Sequence, residues 1–216
     1  VKRYYGQLDA DRFIHKKYIS NPFPNGTFLE LGAMNGIKHS NTKFFEDNMG
    51  FNKGILIEPD PRTFKVLKKN RPNCYNFNYA VHHSLKEVVF LQSPRQDPIG
   101  CLESESSSTF IEKWHFDSKK ITLPASTLSD IIAQTDLKYI DFWSLDVEGS
   151  ELTCLKSMNW DIPVGLLFLE VQHTDHSERE EINTILETQG FTEIARYKRD
   201  FIYFNFNYFR KNLFSI

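Results

Sequence analysis

FLELGAMNG, residues 28–36, is a short apolar run that ends in a turn bracketed by Gly32 and Gly36. Residues 27–31 have the length and composition of a buried strand, and the spacing predicts a helix over 41–49, stopped by Gly50. Glycines between a strand and a helix let a ligand approach the backbone closely and permit positive φ. The helix begins near Ser40-Asn41-Thr42, so its free N–H groups are expected to face the same cleft and to receive a ligand carboxylate.

Working outward, residues 54–57 read as a second buried strand, and Asp60 followed by Pro61 is an N-cap with proline at the first helical position of 61–70. A third strand is expected at 75–81 and another at 87–91, and residues 93–119 are polar and Ser-rich, read as a variable loop. A helix resumes at 126–134, followed by strand 139–145, helix 150–158, strand 164–171 and helix 177–189 closed by Gly190. Strands 191–197 and 201–206 are too close for a crossover, so they pair antiparallel. With an N-terminal helical segment in 1–24, the order implies one α/β domain over 1–216: a doubly wound, mostly parallel seven-stranded sheet with a C-terminal antiparallel hairpin. Strands 27–31 and 139–145 should flank the topological switch point, where ligands bind in open α/β sheets.

Bulk composition narrows the function classes. The 216 residues are 40% hydrophobic, which supports one sizeable core without metal or disulfide staples. A net charge of −2, from 26 basic and 28 acidic side chains, gives no reason to expect a nucleic-acid or membrane-surface partner. Cys74, Cys101 and Cys154 are odd in number with no CxxC spacing, which argues against a disulfide scaffold or zinc site and fits a reducing, cytoplasmic compartment. No apolar run reaches the roughly 20 residues of a membrane span. The chain opens on Val1, as a trimmed piece or one domain of a longer polypeptide would.

A dinucleotide fingerprint needs glycine where this chain has Met34 and Ile37, so close pyrophosphate contact is not provided for. The looser pattern Glu30-x-Gly32-x-x-x-Gly36 suits a nucleoside with an amino-acid tail, whose ammonium Glu30 would hold. Glu58, 22 residues past Gly36, stands at the spacing of a ribose-binding acid. Asp60 already serves the following helix dipole, which leaves Glu58, with Pro59 beside it, for the ligand. Asn78 and Ala80, within 78–81, would then border adenine.

The run from Asp141 to Glu151 (DFWSLDVEGSE) is dense in acids. Asp146 and Glu148 follow strand 139–145, Gly149 allows a sharp turn, and Glu151 falls in the first turn of a helix, where it can cap. Glu170 closes the next strand, so Asp146, Glu148 and Glu170 are expected to converge. Such a group either raises a pKa or binds a cation, and oxygen-only ligands suit Mg²⁺ or Mn²⁺. A metal would lower the pKa of an acceptor hydroxyl; alternatively Asp146 or His173 would remove its proton as general base.

These residues resemble the FkbM family of methyltransferases over nearly the whole chain. Tyr5-Gly6-Gln7…Asp11 is similar to the family's opening SQ…ED segment, with Gly6 for Ser; FLELGAMNGIKHSNT is similar to EIGAxDGxxxSNT, and GILIEPDPRTFKVLKKNRP continues the match. Thr127-Leu128-Ser129-Asp130 resembles the TLDD segment, LDVEGSE resembles the signature DVEGxE, and Gly190-Phe191 with the hairpin also fits. The resemblance implies a Rossmann-like class I methyltransferase fold, S-adenosylmethionine as methyl donor, and a hydroxyl acceptor on a sugar or a polyketide-type product. It assigns cofactor contacts to Gly32, Gly36, Ser40, Asn41 and Glu58 and puts Asp146 and Glu148 at the reacting end. Asn35 stands where the subgroup has Asp, removing a charge near the cofactor. The leading expectation is an O-methyltransferase of a sugar or glycan, with Trp114, Phe116, Trp143 and Trp160 as candidate stacking surfaces; the others are a secondary-metabolite O-methyltransferase and a non-catalytic binding module of the same fold.

Overall fold

The computed structural model describes residues 2–94, 100–115, 117–171 and 175–216. Its first half runs α1 (Ala10–Lys17), β1 (Gly26–Leu31), α2 (Lys43–Asn48), β2 (Phe51–Ile57), α3 (Pro61–Asn70), β3 (Tyr75–Phe77), β4 (Ala80–Val81), β5 (Glu87–Gln92) and β6 (Cys101–Leu102). Then come α4 (Ser108–Trp114), β7 (Lys119–Ser126), α5 (Leu128–Ile132), β8 (Ile140–Leu145), α6 (Glu151–Lys156), β9 (Val164–Glu170), α7 (His176–Thr188), β10 (Phe191–Tyr197) and β11 (Asp200–Asn205). Among the described residues no helix is long and apolar enough to cross a membrane.

The seven-stranded sheet has the order β3-β2-β1-β8-β9-β11-β10. All pairings from β3 to β9 are parallel, and β11 pairs antiparallel with both β9 and β10. The order reverses between β1 and β8, the switch point that the element order predicts. Strands β1, β8 and β9 are buried along their whole lengths, as helices on both faces of a parallel sheet require. Their twofold alternation sends Leu29, Leu31, Trp143 and Leu145 into one core and Phe28, Phe142, Leu166 and Phe168 into the other. At the edge remote from the site, buried Asp141 ties β1 to β8: it accepts from Thr27 N at 2.8 Å and from the Tyr208 hydroxyl at 2.7 Å, and pairs with Arg210.

Two sequence expectations need correction. The strand expected at 75–81 is broken, because Asn78 turns its side chain onto the Glu58 and Pro59 carbonyls, and Ala80–Val81 leaves to pair with β7. The result is a second sheet of order β4-β7-β5-β6 that covers the site. The variable loop expected at 93–119 contains β6, α4 and the start of β7. Its serines are structural signals: the Ser107 side chain caps α4 by accepting from Phe110 N, and Phe110 is buried. In β7 the inward residues Leu123 and Ala125 alternate with outward polar ones, a twofold pattern masked by Pro124. The helix expected at 126–134 shortens accordingly to α5, capped by Thr127.

Beneath the glycine turn lies a buried polar knot. Arg71 is fully buried; it forms ion pairs with Glu46 and, at 3.9 Å, Glu30, and donates to Gly36 O, Ser40 Oγ and Thr42 Oγ1. Its guanidinium also lies over the Phe28 ring. Breaking a buried pair leaves an uncompensated charge, so Arg71→Met is expected to lower the unfolding free energy by about 3–5 kcal/mol in urea titrations. A loss below 1 kcal/mol, on the order of an exposed pair, would contradict this role.

Candidate active site

The site forms where β1 and β8 end side by side. Gly32 has φ +73°, and a Cβ there would stand 2.0 Å from the carbonyl oxygen of Asp146. No side chain fits, so the glycine turn and the acidic loop are in backbone contact. Gly36 serves packing instead, since its Cβ would meet Leu67 and Arg71 at 2.6 and 2.7 Å.

Glu58 leaves the end of β2 and is buried. It accepts from Met34 N at 2.7 Å and Asp60 N at 2.8 Å, so one carboxylate holds both the glycine turn and the start of α3. Burial pushes its pKa up to about 7 against the pull of those amides. Around it opens a cleft. Gly32, Glu58 and Pro59 line its centre, while Tyr79, Ala80, Val81, Phe90, Cys101 and Leu102 form an apolar wall contributed largely by the second sheet. Gln7, His39, Asp146 and Glu148 also line it and bring its polar and ionisable groups. An apolar slot beside a carboxylate and a glycine turn fits adenine, ribose and an amino-acid tail.

The other expected cofactor residues lie behind this surface. Glu30 is turned inward and accepts from Ser40 Oγ at 2.8 Å, Asn41 N at 2.7 Å and Thr42 Oγ1 at 2.7 Å. It braces the loop and is not placed to hold a ligand ammonium. The same bonds occupy Ser40 and the Asn41 amide, and Asn41 Nδ2 donates to Ser144 Oγ, so the expected carboxylate site at the start of α2 is filled by the protein's own Glu30. Asn35 Oδ1 caps the turn by accepting from Ile37 N and Lys38 N, and Asn78 shapes the chain after β3. Gly36, Asn35 and Asn78 thus act on the shape of the turn and strand ends and do not line the cleft.

Asp146, Glu148 and Glu170 converge: one carboxylate oxygen from each lies within 4.8 Å of the others. Glu148 has φ +54° and Gly149 φ +104°, a sharp reversal that Glu151 stabilises by accepting from Val147 N and Gly149 N. Asp146 and Glu148 line the cleft; Glu170 does not. Burial, with the charges of Asp146 and Glu148, raises the Glu170 pKa strongly, and Arg199 opposes that shift. Arg199 Nε stands 2.6 Å from Glu170 Oε1, and Asp200, opposite Glu170 in the sheet, is pushed up to about 7 by burial and by Asp146. The oxygen donors fit a hard divalent cation in type and spacing, while Arg199 already offsets part of the negative charge.

His173 and Phe116 lie outside the described residues. Trp143 is wholly buried, and Trp160 packs on it at a centroid distance of 6.1 Å, so neither is a sugar-stacking surface. Trp114 is 45% exposed. Sequence reasoning missed His39, half-buried in the cleft in a left-handed conformation (φ +63°); burial and Lys38 lower its pKa while Asp146 raises it. It also missed Gln7, which accepts from Arg199 Nη2 at 2.9 Å. The chain pairing Gly6 with His39 brings Gln7 to the cleft, and a Cβ on Gly6 would crowd Asn41 and Asp11. The only sequence signal was the Tyr5-Gly6-Gln7 segment itself.

The sequence profile described as the methyltransferase FkbM domain matches residues 30–197. A search among curated protein sequences finds no match. Among solved structures, methyltransferase FkbM from Methylobacillus flagellatus superposes with a TM-score of 0.55 at 17% identity, over 84% of this chain and 44% of that one. The chain therefore spans less than half the length of that protein. Aeropyrum pernix fibrillarin, solved with S-adenosyl-L-methionine, gives a TM-score of 0.50 at 12% identity over 92% of this chain and 73% of that one. M. capricolum TrmK, solved with S-adenosylhomocysteine, gives 0.50 at 7% identity over 95% and 70%. The likenesses show the class I methyltransferase fold, and the profile match over most of its length shows that the chain belongs to the FkbM methyltransferase domain family.

Proposed function

We propose that this domain transfers a methyl group from S-adenosylmethionine to a hydroxyl of a sugar or glycan. The observation that carries the reading is the contact between Gly32 and Asp146, which puts a nucleoside-shaped cleft and an acidic edge into one space. When bound, the cofactor supplies an electrophilic methyl group. Glu58 would hold the ribose hydroxyls with its remaining lone pairs, and Ala80, Val81 and Leu102 would enclose adenine. Gly32, whose turn lines the cleft, would border the amino-acid tail.

At the reacting end, carboxylates that only accept hydrogen bonds match a hydroxyl-rich acceptor, as does Gln7 beside them. Asp146 is the base that takes the hydroxyl proton, with the Glu170 carboxyl close behind it. In-line alignment of the two reactants supplies the rest of the acceleration. The clustering of three carboxylates also supports a second reading, in which Asp146, Glu148 and Glu170 hold Mg²⁺ or Mn²⁺ that lowers the hydroxyl pKa.

A screen of free sugars and glycans with labelled methyl donor is expected to find transfer to a hydroxyl. Transfer only to non-sugar metabolites would replace the acceptor class, and no transfer to any hydroxyl compound would favour a binding module. With the acceptor found, Asp146→Asn is expected to lose turnover by about 100- to 10,000-fold with S-adenosylhomocysteine affinity unchanged. Near-full activity in that variant would remove Asp146 as base. Full activity in EDTA would remove the metal, whereas inhibition reversed by Mg²⁺ or Mn²⁺ would establish it.

A further inference from the structure

The glycine turn spends its own backbone donors. Ala33 N donates to Ile57 O, Met34 N to Glu58, Gly36 N to Ala33 O and Ser40 N to Ile37 O. Ile37 N and Lys38 N go to Asn35 Oδ1, and Asn41 N goes to Glu30. The amides that such a turn offers to an anion are thus occupied from within. A nucleoside with an amino-acid tail still brings a carboxylate into the cleft. The described lining residues include the carboxylates of Glu58, Asp60, Asp146 and Glu148 and no lysine or arginine. The tail's ammonium therefore has acceptors close by. Its carboxylate needs N–H or O–H donors, because a desolvated charge without a partner is strongly disfavoured.

Two suitable donors stand on neighbouring strands beside the turn. Gly6 pairs with His39 in a parallel bridge, and Gln7 and His39 both line the cleft. The Gln7 amide is fixed in sense: its Oε1 accepts from Arg199 Nη2 at 2.9 Å, and Arg199 Nε is held by Glu170 at 2.6 Å. That leaves the two N–H bonds of Gln7 Nε2 for another partner. His39 is half-buried in a left-handed conformation, φ +63°, uncommon for a residue other than glycine. Among the described residues neither Gln7 Nε2 nor the His39 ring has a hydrogen-bond partner. The hydroxyl donors of the cleft belong to other parts of its wall: Thr63 and Ser93 stand at the Asp60 end, Tyr79 leads into β4 and Ser150 precedes α6.

We infer that Gln7 and His39 together hold the carboxylate of the cofactor's amino-acid tail, where the segment before α1 meets the loop before α2. Each contributes an N–H, Gln7 from its amide and His39 from its imidazole, which donates in either protonation state. The second N–H of Gln7 stays available to the acceptor. Arg199 is a positioning residue, since its bond to Oε1 turns the donors of Gln7 away from Glu170. The assignment rests on the nucleoside reading of the cleft and names the groups that recognise the tail.

The test needs no turnover. Titration calorimetry on the full chain compares S-adenosylhomocysteine, its decarboxylated analogue S-adenosyl-3-thiopropylamine, and 5′-methylthioadenosine, which lacks the tail. The wild-type chain is expected to bind S-adenosylhomocysteine about tenfold or more tighter than the decarboxylated analogue, although the latter carries the net positive charge that an acidic cleft favours. Three variants probe the donors. Gln7→Glu keeps an oxygen for Arg199, Gln7→Met removes the N–H bonds without adding charge, and His39→Asn suits the left-handed backbone. In each the preference for the carboxylate-bearing ligand is expected to shrink, with 5′-methylthioadenosine affinity unchanged. Equal wild-type affinity for the first two ligands would overturn the inference. So would a preference that survives in all three variants, or a parallel loss for 5′-methylthioadenosine, the mark of a purely structural role. If 5′-methylthioadenosine binds and the preference is absent, only this assignment fails; if none of the three ligands binds, the nucleoside reading fails and takes the assignment with it.

Discussion

The Asp146 carbonyl occupies the space that a side chain at position 32 would need. That single exclusion sets the relation between the two halves of the site. The turn after β1 must be glycine, and it must lie against the loop after β8, because the sheet reverses its winding between these strands. A ligand over Gly32 is therefore held beside Asp146 by the backbone, without relying on side-chain rotamers. Glu58 extends the constraint sideways, since its two hydrogen bonds tie the turn to the start of α3.

Support from below is equally specific. Glu30 and Arg71 lie under the turn with their polar atoms directed at each other and at residues 36–42. Two buried carboxylates within one motif thus have different tasks. Glu58 faces the cleft, and Glu30 rigidifies the loop that frames it. In the acidic cluster the same logic separates Glu170, turned back onto Arg199, from Asp146 and Glu148, which reach the cleft.

Much of this was legible in the residues. Apolar runs with short gaps define the parallel sheet, and the close spacing of the last two runs forces their antiparallel pairing. Convergence of Asp146, Glu148 and Glu170 follows from placing acids at the ends of adjacent parallel strands. What escaped is what depends on three-dimensional choice. A one-dimensional pattern cannot tell whether Glu30 points to the cleft or to Ser40, Asn41 and Thr42. The departure of Ala80–Val81 to a second sheet hinges on side-chain bonds made by Asn78. His39 and Gln7 reach the cleft because the segment at Gly6 returns from before α1 to pair with the loop before α2, a contact between stretches with no shared periodicity.

The central claim is that Glu58 and the Gly32 turn form a nucleoside site. Titration calorimetry with S-adenosylhomocysteine at pH 8 and at pH 6 tests it most directly. On the proposed reading the ionised carboxylate would hold the ribose, and burial raises its pKa in the free folded chain to about 7. As pH falls through that value, protonation competes with binding, so the account predicts saturable binding at pH 8 that weakens at pH 6, by up to about tenfold per pH unit below the free-state pKa. In Glu58→Gln the pH 8 affinity is expected to drop and its pH dependence over this range to flatten. No heat of binding at millimolar ligand, or an affinity in the wild-type chain that is the same at both pH values, would contradict it.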